Sequence, residues 1–167
     1  MKIRQIASLV AAVAFTAISA APAFAVTVSR ADGQPMNPNA EAFSASGLMS
    51  LTKGAINTVC TLTFNGTITP AGIVNVTSAQ FSGGNWCPFI STTASSASPW
   101  TGRVDSATQI SIDNAQVSIK LLGTCGPGKV AGAWNDSKSS LTFNNVDLTP
   151  DCRLAGELVT SPKLHVQ

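Results

Sequence analysis

Four cysteines, one histidine and a few carboxylates are the residues of this sequence whose types could do chemistry. Cys60, Cys87, Cys125 and Cys152 are separated by 27, 38 and 27 positions. A zinc site is a poor reading, because there is no C-x-x-C pair and no histidine nearby. In an exported chain, two disulfides are the expectation. The symmetry of the spacing favours Cys60–Cys87 with Cys125–Cys152, but three pairings are possible and spacing alone does not choose. His165 lies near the C-terminus, where a histidine is expected to be exposed rather than held against a nucleophile. No G-x-S-x-G elbow, H-E-x-x-H motif or phosphate-cradling glycine run is present. Asp105, Asp113, Asp136, Asp147, Asp151 and Glu157 could in principle supply a carboxylate pair for glycoside chemistry. Most of them, however, sit beside Asn, Gly, Ser or Pro and read as turn residues. Asp147 and Asp151 flank Pro150 without a spaced calcium loop. The expectation is a protein that is not an enzyme, with no cofactor and no metal site.

The aromatic residues carry the remaining signal. Trp86 precedes Cys87, Trp100 follows Pro99, and Trp134 precedes Asn135-Asp136. Trp86 and Trp134 are expected to pack on disulfides or cap the core. Trp100, at the end of the low-complexity stretch 91–99 (a surface loop), is expected to be the most exposed. Trp100, Phe89 and Trp86 are therefore the candidate interface residues, suited to a carbohydrate, lipid or hydrocarbon surface.

The chain has 167 residues, with 10 Lys+Arg against 8 Asp+Glu. Lys2 and Arg4 precede an apolar run from Ile6 to Ile18, followed by Ala23-Phe24-Ala25. This is the pattern of a secretory signal peptide over residues 1–25, with cleavage before Val26. Without Lys2 and Arg4 the remainder carries eight basic and eight acidic side chains. That balance lacks the basic patch a nucleic-acid binder needs. No later segment is long and apolar enough to span a membrane as a helix. Absence of Tyr argues against an outer-membrane barrel, whose interfaces carry aromatic girdles. Three N-x-[ST] matches, at Asn65, Asn75 and Asn135, are what an Asn-, Ser- and Thr-rich composition produces by chance.

The elements that must position these residues read as strands. Ile56, Cys60, Leu62 and Phe64 alternate with Asn57, Thr61 and Thr63, which is the period of a half-buried strand. Further runs are predicted at 67–69, 73–81, 108–112, 115–122, 129–134, 140–148, 153–160 and 163–166. Turns are predicted at Pro70-Ala71-Gly72, Gly83-Gly84-Asn85, Gly126-Pro127-Gly128, Asn135-Asp136 and Thr149-Pro150-Asp151. The predicted fold is all-β: a single-domain β-sandwich or barrel-like fold of short antiparallel strands with two disulfides. Residues 26–42 are predicted to be an extended arm and 43–167 the β domain.

Several short segments taken together resemble one family. They are Ser50-Leu51-Thr52-Lys53-Gly54, Cys60 to Gly66, Ala79-Gln80-Phe81-Ser82-Gly83, Pro99-Trp100-Thr101-Gly102 and Gly123-Thr124-Cys125-Gly126-Pro127. In order and spacing the chain resembles the secreted alkane-oxidation activators (PraA/PraB-like) of Pseudomonas-type bacteria. The resemblance implies an exported protein, possessing no catalytic motif, that promotes hydrocarbon emulsification and growth on long-chain alkanes, with biofilm and adhesion among related members. The implied partner is a hydrocarbon–water interface or a cell surface. The alternative is an adhesive or fibre subunit that self-associates through strand edges, with the arm from Val26 added to a neighbour's sheet. A third reading, a periplasmic binding module or inhibitor, differs in predicting one saturable ligand.

Overall fold

A computed structural model describes residues 26–167, and the predicted signal peptide lies outside them. Eleven strands form among the described residues: β1 (Val28–Arg30), β2 (Glu41–Lys53), β3 (Ile56–Ile68), β4 (Ile73–Ser82), β5 (Ile90–Thr92), β6 (Trp100–Ser106), β7 (Gln109–Ile119), β8 (Gly123–Asn135), β9 (Ser140–Leu148), β10 (Cys152–Ser161) and β11 (Leu164–Val166). A 3-10 turn at Cys87–Phe89 precedes β5.

The strands run around a closed antiparallel barrel in the order β7-β6-β4-β3-β2-β10-β9-β8, and β8 pairs again with β7. Eight strands enclose a space that side chains can fill. Period-two alternation supplies that filling: Met49, Leu51, Leu62, Phe64, Val76, Phe81, Ile112, Val117, Phe143, Leu154 and Leu158 are all buried. Ser, Thr and Asn occupy most of the outward positions of β3 and β4, in a chain with few charges. The polarity is thus apolar inside and polar outside, the reverse of a transmembrane barrel. Among the described residues no helix is long and apolar enough to cross a membrane.

Closing eight long strands requires sharp bends, and glycines sit where backbones nearly touch. A Cβ on Gly47 would lie 1.9 Å from the Glu157 carbonyl oxygen, and one on Gly66 would lie 2.0 Å from that of Asn75. Gly66 marks the β3–β4 register shift. Asn65-Gly66 therefore makes a bulge inside one 13-residue strand rather than a break between two.

Other expectations shift in the same direction. The runs predicted at 108–112 and 115–122 join into β7, whose pairing with β8 is irregular around Ile112 and Ala115. Gly126-Pro127-Gly128 is not a turn but part of β8; a Cβ on Gly126 would lie 2.2 Å from the Ala115 carbonyl oxygen. Four strands do not follow from the alternation: β1, within the predicted arm; β2, whose outward face holds Ser44, Ser46 and Ser50 but also Leu48; the short β5; and β6, which carries Trp100.

The two barrel ends are closed differently. At one end the predicted arm pairs within its own chain. Val28↔Val166 and Arg30↔Leu164 join β1 and β11 into a two-stranded ribbon. Val28, Leu164 and Val166 are buried, and the Val28 amide donates to the Pro70 carbonyl at 2.8 Å. Arg30 links this ribbon to β2 through Glu41 at 2.9 Å. At the opposite end lie the β2–β3, β7–β8 and β9–β10 turns, both disulfides, and the loop that follows β4.

Candidate functional site

The disulfides are Cys60–Cys87 and Cys125–Cys152, each with a sequence separation of 27. All four cysteines are buried. Cys60 faces inward on β3, so its bond pulls the loop after β4 across the barrel end. Cys125–Cys152 ties β8 to β10 beneath the same end. Lys53, itself buried, places Nζ 3.2 Å from Cys125 Sγ and 2.5 Å from Asp151 Oδ1. Cys125, Asp151 and Cys152 have the proximity of a metal site, but both sulfurs are committed to the disulfide and leave no ligand set.

The 3-10 turn at Cys87–Phe89 separates its side chains by face. Cys87 points in and is fully buried, whereas Trp86 and Phe89 point out and are 42% and 46% exposed. Their rings meet edge to face, with centroids 6.2 Å apart. Next to them stands the β7–β8 turn: the Lys120 amide donates to the Phe89 carbonyl at 2.9 Å, and Lys120 Nζ lies 5.9 Å from the Phe89 ring centre. The following residue, Leu121, is 94% exposed and has φ of +72°. Leu122 donates its amide to Ile119 across the turn at 3.0 Å and is itself 36% exposed. A positive φ at this turn position favours glycine, and a leucine there costs on the order of 1 kcal/mol. Trp86, Phe89, Leu121 and Leu122 thus make an apolar tip at the disulfide-bonded end, with the Lys120 amine against it.

Two of the three predicted interface residues are at this tip. Trp100 is not. It is buried in the barrel at 4% exposure, edge-on to Phe64 with centroids 6.0 Å apart, and its indole N–H donates to Thr93 Oγ1 at 3.1 Å. The reason is register: β6 pairs Trp100 with Val76, an inward position of β4. Trp86, expected to pack inward on its disulfide, is instead held outward by it. Trp134 does cap the core: it is buried and donates to Asp136 Oδ1 at 3.2 Å. Leu121 and Leu122 were missed. Their signal is a pair of large apolar residues followed by Gly123, directly after a strand of clean alternation.

Other exposed apolar residues differ in setting. Leu48, Val59, Val159 and Ile73 lie on the outer wall, directly opposite Thr61, Ser50, Ser46 and Arg103 respectively. Apolar side chains dispersed over a polar wall are ordinary. Inside the barrel the voids are small. One of about 20 Å³ is lined by Met49, Phe64, Phe81 and Trp100, and one of about 30 Å³ by Phe43, Ile68, Trp134 and Leu164. Each has the space of roughly one or two waters, so no alkyl chain fits inside.

The carboxylates, Asp113 apart, are dispersed and partnered. Asp105 pairs with Arg103, Asp147 with Arg153, Asp151 with Lys53, and Glu157 with Lys138. His165 is not free at the surface: its Nδ1 meets Asp136, and its other nitrogen lies 2.7 Å from the Gln167 amide nitrogen, with no serine in that place. Asp136 also accepts the Val166 amide at 2.7 Å. Burial pushes the Asp136 carboxyl up, but the bonds from Val166, Trp134 and His165 outweigh it and hold the group below its ordinary value. Ser139 is buried, and its hydroxyl accepts the Leu164 amide at 2.6 Å while donating to the Leu164 carbonyl at 3.0 Å. These residues form a clasp on β11.

A family model for the alkane oxidation protein activators, PraA/PraB-like, matches residues 1–167. The chain belongs to this family. No curated protein and no solved structure is matched significantly. The PraA/PraB-like chain is therefore an all-β barrel stapled by two disulfides at the end that carries its apolar tip.

Proposed function

We propose that this PraA/PraB-like protein is exported, is not an enzyme, and acts by adsorbing to the hydrocarbon–water boundary, dispersing long-chain alkane for assimilation. The observation that carries the reading is the apolar tip: Trp86, Phe89, Leu121 and Leu122 stand exposed at one end of a barrel whose wall is mostly Ser, Thr and Asn. Each 100 Å² of apolar surface moved from water into oil contributes about 2.5 kcal/mol. The packed interior supports a surface mechanism over enclosure of an alkane. Two disulfides suit an oxidising compartment, and the family's name supplies the link to alkane oxidation. The fibre alternative has less to work with, since the eight barrel strands close on one another and β1 already pairs with β11, leaving as edges the three-residue β5 and the outer sides of that short ribbon.

The test is interfacial tension of residues 26–167 against hexadecane, with a reduced, heat-denatured sample and an unrelated β-domain as controls. The reading expects a fall specific to the folded, oxidised protein. Tension equal to that of the controls overturns it and moves attention to assembly on the cell surface.

A further inference from the structure

We infer that the tip recognises an oil surface carrying long-chain carboxylate rather than bare alkane, with Lys120 as the residue that reads the charge. This rests on the adsorption reading above and names the chemistry of its partner. The argument starts from charge placement. Residues 26–167 carry eight basic and eight acidic side chains, so net charge gives no preference for an anionic surface. The local balance at the disulfide-bonded end does. Lys53 is matched by Asp151, and Arg153 by Asp147. Lys120 has no carboxylate partner among the described residues; its amine lies 5.9 Å from the Phe89 ring centre, beside the exposed Leu121.

A cation on a flexible stem next to large apolar groups matches an anionic amphiphile. The apolar groups enter the oil while the amine stays at the boundary with the headgroups. Trp86 fits the same boundary. It is half-exposed, and its indole N–H, unlike those of Trp100 and Trp134, donates to no protein group among the described residues. A half-exposed indole with a free donor suits a layer that is apolar on one side and wet on the other. Carboxylate is the chosen headgroup because the family's name concerns alkane oxidation, and terminal oxidation of an alkane leads through the alcohol to the carboxylate. One cation near an anionic surface favours adsorption by about 5-fold.

The experiment uses residues 26–167 at pH 9 and low salt, with droplets of hexadecane alone, with hexadecanol, or with oleate. Protein left in the aqueous phase is measured by tryptophan absorbance after the droplets are removed. Wild type is expected to reach half-saturation of the oleate droplets at about 5-fold lower concentration than the hexadecanol droplets. Lys120→Gln is expected to bind the oleate and hexadecanol droplets alike. Salt at 0.5 M is expected to erase the preference. Equal wild-type binding to oleate and hexadecanol droplets overturns the inference while leaving adsorption intact, as does a preference retained in Lys120→Gln. Binding to oleate droplets alone supports the inference and overturns adsorption to bare alkane; binding to none overturns both. Binding to phosphatidylglycerol vesicles as tight as to oleate droplets overturns the assignment to carboxylate.

Discussion

The two ends of this barrel solve the same problem with different chemistry. A closed barrel still has two open mouths, and each must be kept from water. The ribbon end uses backbone: β1 and β11 pair, and Asp136 and Ser139 satisfy the amides of Val166 and Leu164. The ribbon's own apolar side chains, Val28, Leu164 and Val166, turn inward, and the large apolar residue exposed beside them is Ile73 alone at the β3–β4 turn. The other end uses covalent bonds, and there the loop keeps only Cys87 and Ile90 inside while Trp86 and Phe89 face out. Cross-links relieve that end of the need to bury its large apolar residues. It is the end with side chains available for a surface.

The sharpest way to break this contrast is to truncate one tryptophan of each kind. Trp100→Ala is expected to destabilise by about 4 kcal/mol, because it empties a filled barrel and removes the edge contact to Phe64. Trp86→Ala is expected to change stability by less than about 0.5 kcal/mol while weakening adsorption to hexadecane. Chemical denaturation beside droplet binding checks both. A stable, weakly adsorbing Trp100→Ala protein would refute the placement of Trp100 in the core.

Next in size is the staple. Removing Cys60–Cys87 by a double Cys→Ala substitution is expected to cost about 3–4 kcal/mol, as for a loop of this length. Because the bond also holds Trp86 and Phe89 outward, adsorption is expected to fall with it. The ribbon end should keep its protection, which amide hydrogen exchange at Val166 would report.

The clasp gives the reciprocal case. Asp136→Ala leaves the Val166 amide and Trp134 indole without an acceptor and is expected to cost about 2 kcal/mol, with adsorption unchanged. Its pH dependence has a definite sign. The folded state holds the Asp136 carboxyl below its ordinary value of 3.8, so its stabilisation is complete above that pH and is lost as pH falls through the lower, folded-state value. Urea melts of wild type and Asp136→Ala should therefore converge below pH 4.

Much of the barrel was legible in the sequence, and the candidate site only in part. β3, β9 and β10 announce themselves because one face is buried and the other wet, which forces alternation. β6 hides because Gly102 lies between its inward Trp100 and Val104, and the first half of β8 hides because glycines serving close backbone contact read as turns, while its second half follows the predicted run at 129–134. The disulfide pairing followed the favoured symmetry. Trp100 misled because a Ser-rich loop says nothing about the register of the strand that follows it. No local pattern tells an outward aromatic from an inward one; that depended on Cys87 pairing with Cys60.

Leu121 offers the smallest energetic effect and the cleanest separation of fold from function. Its φ of +72° is one that glycine adopts freely, and its side chain is 94% exposed. Stability alone gives no reason for leucine at this position. Leu121→Gly should relieve backbone strain but loosen the unfolded chain, for a net gain of about 0.5 kcal/mol or less. Adsorption should weaken in the same protein, since the most exposed apolar group of the tip is gone. A variant at least as stable as wild type that binds hexadecane less tightly would show that the strain is retained for the surface. If Leu121→Gly adsorbed as well as wild type, the tip would shrink to the aromatic pair held out by Cys60–Cys87.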